Sequence, residues 1–529
     1  LNLGWYGIIG FFLISFISLF TSFFVSHNFL HNFILHIIGL ILFCSTLWKN
    51  KNYYEYKILI YLSLLLMIAA FVFKNHDDFS YYHLTYALNL SENSFIVGTG
   101  NFSHGFRTFS SLFYYHSTLF FPFIDYHLFH IGPFYILVFF NFIIIKKLID
   151  NLKSNNHDIT FYFSLLSLIF VNVVFYRIGE HGTDRSSQIL LILLFLLFLQ
   201  ILFTKKDNQI LTALSLMAIL VALSASMKAI YYLYFILPLI ILFRKKLLYQ
   251  LIEKKNFIFL LIVSLSIGLN LVTYYLNTGC FLYPAEKTCL LETEWSIPKS
   301  EVKRMSIHYE WWAKAGGSPG YAHELEKHEY IKNFVWLENW IERHFFNKVS
   351  DTLIGTVFLC FLVIISFYYS SKKKFKKIKN NNKLIYFLIL FFLIEWFLNH
   401  PSMRYGGYVL IGLPLLIFSS SIIIKFEISK KKVFNLTVFF VILSILIFNL
   451  RNVIRINKEI DVYGYKPLVS PFFYVEDVDS IITAEDKDLK IFSPIKNSCW
   501  GSKTPCSYNT NLKISNFLGL PDPCFERYA

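Results

Sequence analysis

Charged residues are scarce in this sequence, and their scarcity argues against a soluble fold. Asp, Glu, Lys and Arg make up 16% of the 529 residues, whereas hydrophobic residues make up 55%. Apolar stretches of about 16 to 22 residues recur along most of the chain, as membrane-spanning helices require. A soluble helical protein of this composition would have to bury many helices that are apolar on every side. We therefore predict an all-α polytopic membrane protein.

Several familiar signatures are also missing. The glycines at Gly98, Gly100 and Gly105 are not followed by the Lys-Ser/Thr pair of a P-loop. The seven cysteines do not have the spacing of a zinc site. We see no internal repeat of the kind found in many transporters. These absences argue against a P-loop nucleotide site and a zinc module, and they weigh against a transporter.

The apolar stretches and their connections predict a topology. About thirteen stretches are long enough to span a bilayer. Their connections alternate between short basic loops and longer loops rich in aromatic residues, and Lys and Arg mark the cytoplasmic side, so we place the amino terminus inside and the carboxyl terminus outside. The net charge of +15 follows from these basic loops facing anionic lipid, so we infer no nucleic-acid partner. The stretches are centred near residues 15, 40, 65, 137, 168, 196, 217, 236, 266, 360, 391, 415 and 442.

This topology divides the chain into two regions. Residues 1–451 form the predicted transmembrane domain, which includes the outward loops 74–122 and 277–351. Residues 452–529 form a small external region. The aromatic density of loop 277–351 predicts either a lid over an outward cavity or helices lying in the membrane interface.

The cysteines agree with this orientation. Cys44 and Cys360 lie in apolar stretches, and the other five lie in outward segments, where disulfides persist. The short, turn-rich segment between Cys499 and Cys506 favours local pairing. A second candidate pair is Cys280 with Cys289, whereas Cys524 leaves an odd thiol and keeps other pairings open.

The first outward loop opens with a charged cluster directly after an apolar stretch. Asp77 and Asp78 follow Phe73 closely, and ionisable groups at such a depth are costly unless they are used. On a regular helix two consecutive side chains diverge by about 100°, so both do not face one ligand. Asp78 is either a functional carboxylate or the N-cap of a helix beginning at Phe79. His83 then lies further along that helix, towards the membrane.

Other polar residues occur at outward loops and helix ends. His104 and Arg107 in the glycine-rich loop suit a phosphate, although an ordinary surface arginine is the simpler interpretation. Asp184 begins a returning helix, where a carboxylate is a cap or a ligand. Lys228 either snorkels to the interface or contacts an anion.

A last polar group follows the eleventh apolar stretch. Arg404 and Tyr405 lie next to His400 where proline and glycine interrupt the helix. Interrupted backbone at membrane depth is tolerated where it lines a cavity. We therefore expect this group to face a cavity on the outward side.

Taken in order along the chain, these motifs resemble one family. The sequence is similar to bacterial membrane proteins of the GT-C glycosyltransferase superfamily. The matching features are the acidic pair Asp77-Asp78, Tyr82-His83-Leu84, Asp184, the segment from Gly279 to Pro284, Arg404-Tyr405-Gly406, and the closing Cys499-Trp500 with Pro505-Cys506.

The resemblance implies a transferase in the cytoplasmic membrane of a bacterium. Such an enzyme takes a sugar from a polyprenyl-phosphate donor within the lipid and passes it to a glycan, lipid or protein acceptor on the outer face. An aspartate of the first outer loop acts there as base or metal contact, which points to Asp77 or Asp78. The sequence has no clean Asp-x-Asp or Glu-x-Asp, so a divalent metal stays open as a cofactor and none is certain.

The expected chemistry assigns roles to these residues. One aspartate deprotonates the acceptor, and Lys228 and Arg404 stabilise the leaving phosphate. The expected substrate contacts are His83, His104, Arg107, Asp184, Lys228, Arg404 and Tyr405. The alternatives are a transporter or a lipid or polysaccharide flippase, and a non-catalytic partner in envelope polysaccharide assembly. The enzyme hypothesis requires the aspartate, Lys228 and Arg404 to share one outward cavity.

Overall fold

A computed structural model gives the architecture of the chain. It describes residues 1–49, 53–180, 182–203, 207–251, 254–290, 292–317, 325–372, 375, 383–486, 489–496, 498–517 and 520–525. Most of these residues are helical. The first eleven helices are α1 Leu3–Ser22, α2 Phe29–Lys49, α3 Tyr53–Leu66, α4 Leu84–Glu92, α5 Ser111–Ser117, α6 Gly132–Ser154, α7 Ile159–Val174, α8 Gly182–Phe203, α9 Asp207–Met227, α10 Ile236–Arg244 and α11 Leu248–Leu251.

The second part of the chain continues the helical pattern and ends in strands. Its helices are α12 Lys254–Thr278, α13 Lys299–Lys314, α14 Lys327–Tyr330, α15 Leu337–Trp340, α16 Ser350–Ser370, α17 Lys383–Asn399, α18 Gly407–Ile423 and α19 Lys430–Tyr463. Its strands are β1 Ser480–Asp486, β2 Leu489–Pro494, β3 Leu512–Phe517 and β4 Leu520–Phe525.

Local sequence explains where several helices begin and end. The Asp158 side chain accepts a 2.9 Å hydrogen bond from the Phe161 N–H and so caps α7. Proline in the first turn starts α6, where its missing N–H costs nothing. Gly464, with φ 66°, ends α19 in the left-handed conformation that glycine adopts most readily.

Nine helical segments of the described chain are long and apolar enough to cross a membrane, and three shorter apolar helices accompany them. Each of the 13 predicted centres lies within a helix. The chain is therefore built as a membrane protein of the helical class.

The helices differ greatly in burial. In α8, 83% of the apolar window is buried inside the protein, whereas in α2 only 6% is buried. α8 packs against α6, α7, α9 and α18 at the centre of the bundle. α2 exposes large apolar side chains along most of its length, as a helix at the periphery facing lipid does.

The prediction of an all-α fold is wrong for the C-terminal region. There β1 pairs antiparallel with β2, and β3 pairs antiparallel with β4. The burial of β2 alternates along the strand, because one face packs on the loops beneath it while the other faces outwards. The predicted domain boundary at residue 451 falls inside α19, which continues to Tyr463.

The loops at one end of the bundle pack into a body of their own. A second hydrophobic cluster joins three parts of the chain: the outward loop 74–122, which we call the first long loop, the loop after α12, and the C-terminal strands. Phe106, Tyr283 and Ile491 are among its members. We call this the loop end of the bundle. Loop 277–351 is not a disordered connection in its described part, because α13, α14 and α15 give it helical structure.

Candidate functional site

A cavity of about 490 Å³ lies at the loop end. The first long loop, the ends of α9 and α17, the turn before α18 and helix α13 form its walls. A volume of this size suits a small organic ligand. Its polar lining includes Asp78, His83, His104, Lys228, His308, Glu310, His400 and Arg404.

Four charged residues from distant parts of the chain meet at this cavity. Arg404 Nη2 donates to Asp78 Oδ2 at 2.8 Å, and Arg404 Nε donates to Asp184 Oδ2 at 2.9 Å. Lys228 Nζ donates to the other oxygen of Asp184. Two carboxylates therefore alternate with two cations, and we call these four residues the charged cluster.

Each member of the charged cluster stands at an interruption or an end of a helix. Asp78 precedes a π-helical turn, Phe79–His83, and its carboxylate turns to Arg404 rather than capping that turn. Asp184 lies in the first turn of α8, and Lys228 follows the last residue of α9. Such positions let charged groups reach one polar space without crossing the apolar bundle.

The turn that carries Arg404 is fixed by its neighbours. Arg404 lies in a 3-10 turn, Met403–Tyr405, which ends at Gly406 with φ 100°. Gln188 of α8 donates to the carbonyl of Met403 at 3.2 Å and accepts from the Val409 N–H at 3.3 Å. Gln188 was not expected from the sequence, since an amide inside an apolar helix gives no sign of its partner.

The charges of the cluster stabilise one another. Burial alone would raise the pKa of the Asp78 carboxyl, but its hydrogen bond with His76 and the nearby Arg404 hold that pKa well below its usual range. Burial opposes the charge of Arg404, yet Asp184 and Asp78 hold the pKa of its guanidinium well above its usual value. Burial lowers the pKa of the Lys228 ammonium, and the neighbouring Asp184 carboxylate opposes that lowering. In their charged forms the two carboxylates and the two cations balance one another.

Aromatic rings surround the cations. Lys228 Nζ lies 4.3 Å from the ring centroid of Tyr405, and the guanidinium of Arg404 lies 5.8 Å from it. His83 packs between Tyr82 and Phe113, with ring centroids 4.5 and 4.7 Å away. Burial lowers the pKa of His83 to about 3, so its imidazole is neutral.

The structure separates the predicted site residues into two groups. Asp78, His83, His104, Lys228, Arg404 and Tyr405 line the cavity. Asp77 is exposed, and Asp184 is buried, where it contacts the two cations. The described lining residues do not include Asp77, Arg107 or Asp184.

Arg107 takes part in a separate ion pair. It is buried, its Nη1 lies 2.7 Å from Glu301 Oε1, and its Nε donates to the carbonyl of Gly100 at 3.1 Å. A Cβ at Gly100 would lie 2.5 Å from the backbone oxygen of Asn277, so only glycine fits there. The guanidinium also donates to the Tyr283 hydroxyl at 3.3 Å. The Arg107–Glu301 pair therefore joins the first long loop to α13.

Helix α13 supplies residues that the sequence did not single out as ligands. His308, Tyr309, Glu310 and Trp312 all line the cavity from this helix. Their dense aromatic pattern predicted a lid or an interfacial helix, and α13 forms one wall of the cavity. The Glu310 carboxylate is 2.5 Å from Lys314 Nζ on the same helix.

Both predicted disulfides are present. Cys280 is bonded to Cys289, and Cys499 is bonded to Cys506. The first closes the loop that carries Tyr283, and the second closes a loop of the C-terminal region. The side chain of Cys524 lies outside the described part of the structure.

The donor set at the cavity does not fit a divalent cation. Among the described residues no group of three or more His, Cys, Asp or Glu side chains is arranged to hold a metal ion. The two carboxylates of the charged cluster already bind guanidinium and ammonium groups. Metal coordination there would require both carboxylates to leave their cations.

Comparison with known proteins gives one match. No curated protein and no solved structure matches the chain. A family model described as "Domain of unknown function (DUF8201)" matches residues 2–411, which include all four members of the charged cluster. Because this match extends over most of the chain, the protein belongs to the DUF8201 family.

Proposed function

We propose that the protein is a GT-C-like integral-membrane glycosyltransferase. It transfers a sugar from a polyprenyl-phosphate donor to an acceptor on the outer face of a bacterial cytoplasmic membrane. The observation that supports this proposal best is the cavity in which Asp78 lies beside Lys228 and Arg404. A carboxylate next to two cations is the arrangement that proton removal and phosphate departure require.

The proposal includes a topology of thirteen spans with the amino terminus inside. Nine long and three shorter apolar helices in the described residues support it. The basic loops alternate with the loops that contribute to the cavity, and the positive-inside rule then puts the cavity outside. Both disulfides lie in loops that this topology places outside, where disulfides persist.

The reaction would be a single displacement at the anomeric carbon. The acceptor hydroxyl oxygen forms a bond to that carbon, and the bond from the carbon to the donor phosphate oxygen breaks. Asp78 receives the proton of the acceptor hydroxyl, and polyprenyl phosphate leaves with its bonding electrons. Lys228 and Arg404 bind the phosphate and stabilise the negative charge that grows on it.

Donor binding would itself activate Asp78. In the structure the hydrogen bond with His76 and the nearby Arg404 hold the pKa of the Asp78 carboxyl low, which makes this carboxylate a weak base. A donor phosphate that takes over the guanidinium of Arg404 removes the contribution of Arg404 and leaves that of His76. The carboxylate then becomes more basic while the donor is bound.

The lining of the cavity also suits a lipid-linked sugar. Phe109, Phe113, Met227, Ile230 and Tyr274 provide apolar surface on the same cavity as Lys228. An isoprenoid chain needs such a surface, and a sugar phosphate needs the adjacent polar groups. The cavity thus combines the two properties that an amphiphilic donor requires.

The proposal is tested by turnover with purified protein. The protein in proteoliposomes is incubated with a panel of polyprenyl-phosphate sugars and a mixture of glycan, lipid and protein acceptors, and release of polyprenyl phosphate is measured. We expect release with at least one donor and its loss in Asp78→Asn, because the amide cannot accept the proton. The neighbouring substitution Asp77→Asn is the matched control, since Asp77 is exposed, and it should retain activity.

Transport provides the opposite outcome. Solute uptake or lipid movement across the proteoliposome membrane without consumption of any donor would favour a transporter or flippase. Loss of release in Asp77→Asn together with retained release in Asp78→Asn would contradict the assigned base.

A further inference from the structure

The segment that carries Asp78 is bound by the distant C-terminal part of the chain. Upstream of Asp78, Arg455 Nη2 donates to the Phe71 carbonyl at 2.5 Å. The Phe73 N–H donates to Glu459 Oε2 at 3.0 Å. The Phe71 carbonyl and the Phe73 N–H are backbone groups. Side chains of α19 therefore fix the path of the main chain just before Asp78.

The same segment is bound again downstream of Asp78. The Trp500 N–H donates to the Ser80 carbonyl at 3.1 Å, and the Thr85 hydroxyl donates to the Trp500 carbonyl at 3.2 Å. The Tyr508 hydroxyl donates to the Tyr81 carbonyl at 3.3 Å, and the two tyrosine rings lie 4.7 Å apart. These contacts hold the turn that also carries Tyr82 and His83.

The disulfide between Cys499 and Cys506 shapes the loop that makes these contacts. Both cysteines are fully buried, and the Cys499 N–H donates to the Tyr508 hydroxyl at 2.9 Å. Trp500 has a positive φ of 44°, a conformation that a bulky residue seldom adopts. Closure of the loop favours that conformation, because it restricts the alternatives of the chain.

Arg455 connects the two segments that carry the carboxylates of the charged cluster. Its Nη1 lies 2.9 Å from Glu459 and 3.9 Å from Glu180, and all three side chains are buried. Glu180 also pairs with Arg177 in the loop between α7 and α8, only four residues before Asp184. Arg455 therefore contacts both the segment that precedes Asp78 and the segment that precedes Asp184.

We propose that Arg455 and the Cys499–Cys506 loop are positioning elements of the cavity, which hold Asp78 opposite Arg404. All of these contacts come from residues beyond the family match, which ends at residue 411. The C-terminal region is thus part of the site rather than a separate appendage. The consequence for catalysis rests on the proposed transferase function, whereas the consequence for structure does not.

Hydrogen exchange of the full-length protein tests the structural part. Two double variants are compared, Cys499→Ser/Cys506→Ser and Cys280→Ser/Cys289→Ser, which remove disulfides of similar loop length. In the first we expect amide exchange in residues 79–85 to rise about tenfold or more, with α9 still protected. In the second the same amides should exchange as in the wild type. Equal exchange of residues 79–85 in both variants overturns the proposal.

Two milder variants cover the case in which the double variant does not fold. Tyr508→Phe keeps the ring next to Tyr81 and removes only the hydroxyl contacts. Arg455→Lys keeps the charge, but a single ammonium group cannot donate to the Phe71 carbonyl and to the Glu459 carboxylate in the way that the guanidinium does. Both should raise exchange around Asp78 by a smaller factor, and unchanged exchange in both would overturn the proposal.

Kinetics tests the catalytic part. If transfer is detected, Cys499→Ser/Cys506→Ser should lower kcat by up to about 100-fold, because a displacement of about 1 Å is enough for such a loss. KM for the donor should stay within about twofold, since Asp184 still holds Lys228 and Arg404. A rise in donor KM with unchanged kcat would contradict positioning of Asp78. If the wild type transfers no sugar, the proposed function fails while the exchange result still decides the structural part.

Discussion

Two ion-paired contacts at the loop end, the charged cluster and the Arg107–Glu301 pair, are built on different principles. In the charged cluster, Arg404 lies at the surface of the cavity and is shared by two carboxylates from other parts of the chain. In the Arg107–Glu301 pair, the guanidinium is buried and occupied by Gly100, Tyr283 and Glu301. Both contain an arginine held by a carboxylate, yet only the first is open to a ligand.

The comparison shows how a ligand site differs from a structural contact of similar composition. In the proposed reaction an anion would reach Arg404 by replacing one carboxylate, and that carboxylate would keep its second partner, His76 for Asp78 or Lys228 for Asp184. Replacing Glu301 at Arg107 would detach α13 from the first long loop. Exchangeable partners and an open face therefore indicate function, and the residue type alone does not.

The largest effect is expected from Arg404→Gln. This change removes the guanidinium that Asp78 and Asp184 share, whereas His76 still contacts Asp78 and Lys228 still contacts Asp184. We therefore expect a loss of about 2–3 kcal/mol, the cost of removing hydrogen bonds to partly or fully buried charged groups. Thermal unfolding in detergent should show a clear loss of stability, and the transfer assay should show no product. Arg404→Lys should be intermediate, because an ammonium cannot bridge both carboxylates with parallel hydrogen bonds. Wild-type stability in Arg404→Gln would show that the cluster is not the structural unit described here.

A smaller and opposite effect on binding is expected from Asp184→Asn. Asp184 contacts both Lys228 and Arg404, so its neutralisation leaves the cluster with a net positive charge. Polyprenyl phosphate should bind up to about tenfold more tightly, which corresponds to about 1.4 kcal/mol. Turnover should fall, because Arg404 loses its fixed position and product leaves slowly. Weaker binding of polyprenyl phosphate would instead identify Asp184 as needed for the anion site itself.

Much of the framework could be predicted from the sequence. Long apolar stretches leave few alternatives to membrane helices, so all thirteen predicted centres lie in helices. Charged residues at apolar helix ends are costly enough to stand out singly, and on that ground the sequence points to Asp77 or Asp78, to Lys228 and to Arg404. Their meeting is a property of the fold, since Asp78 and Arg404 are 326 residues apart.

The remaining parts depend on details that sequence patterns do not encode. The choice between Asp77 and Asp78 is set by the direction of one turn, which fixes one carboxylate at Arg404 and leaves the other exposed. Arg107 was expected to be a phosphate contact, and its pairing with Glu301 could not be foreseen across 194 residues. The strands of the C-terminal region are short, and a period of two is hard to recognise over six residues.

The pH dependence of stability should report on His83, which lines the cavity. Burial lowers the pKa of His83 to about 3, so the unfolded chain binds a proton below about pH 6.5 that the folded chain does not. Stability should therefore be greatest above pH 6.5 and fall towards pH 4, by up to about 1.4 kcal/mol per pH unit from this residue. Asp78 stays ionised over this range, because its low pKa affects stability only in stronger acid.

Thermal unfolding at pH 7.5 and pH 5 measures the contribution of His83 to stability. The loss of stability between the two values should be smaller in His83→Gln than in the wild type. An unchanged dependence in His83→Gln would mean that the pKa of His83 is the same in the folded and in the unfolded protein.

The smallest effect is expected at the Arg107–Glu301 pair. Glu301→Gln removes the charge at Arg107 but leaves the bonds of that guanidinium to Gly100 and Tyr283, so we expect a loss of about 1 kcal/mol. Arg304→Gln is the matched control, because Arg304 contacts the same carboxylate from the exposed side and should cost about 0.5 kcal/mol or less. Because α13 forms the wall with His308 and Trp312, KM for the acceptor should rise a few-fold in Glu301→Gln while donor binding is unchanged. If Glu301→Gln destabilised the protein as much as Arg404→Gln does, the Arg107–Glu301 pair and the charged cluster would not differ in the way that their geometry indicates.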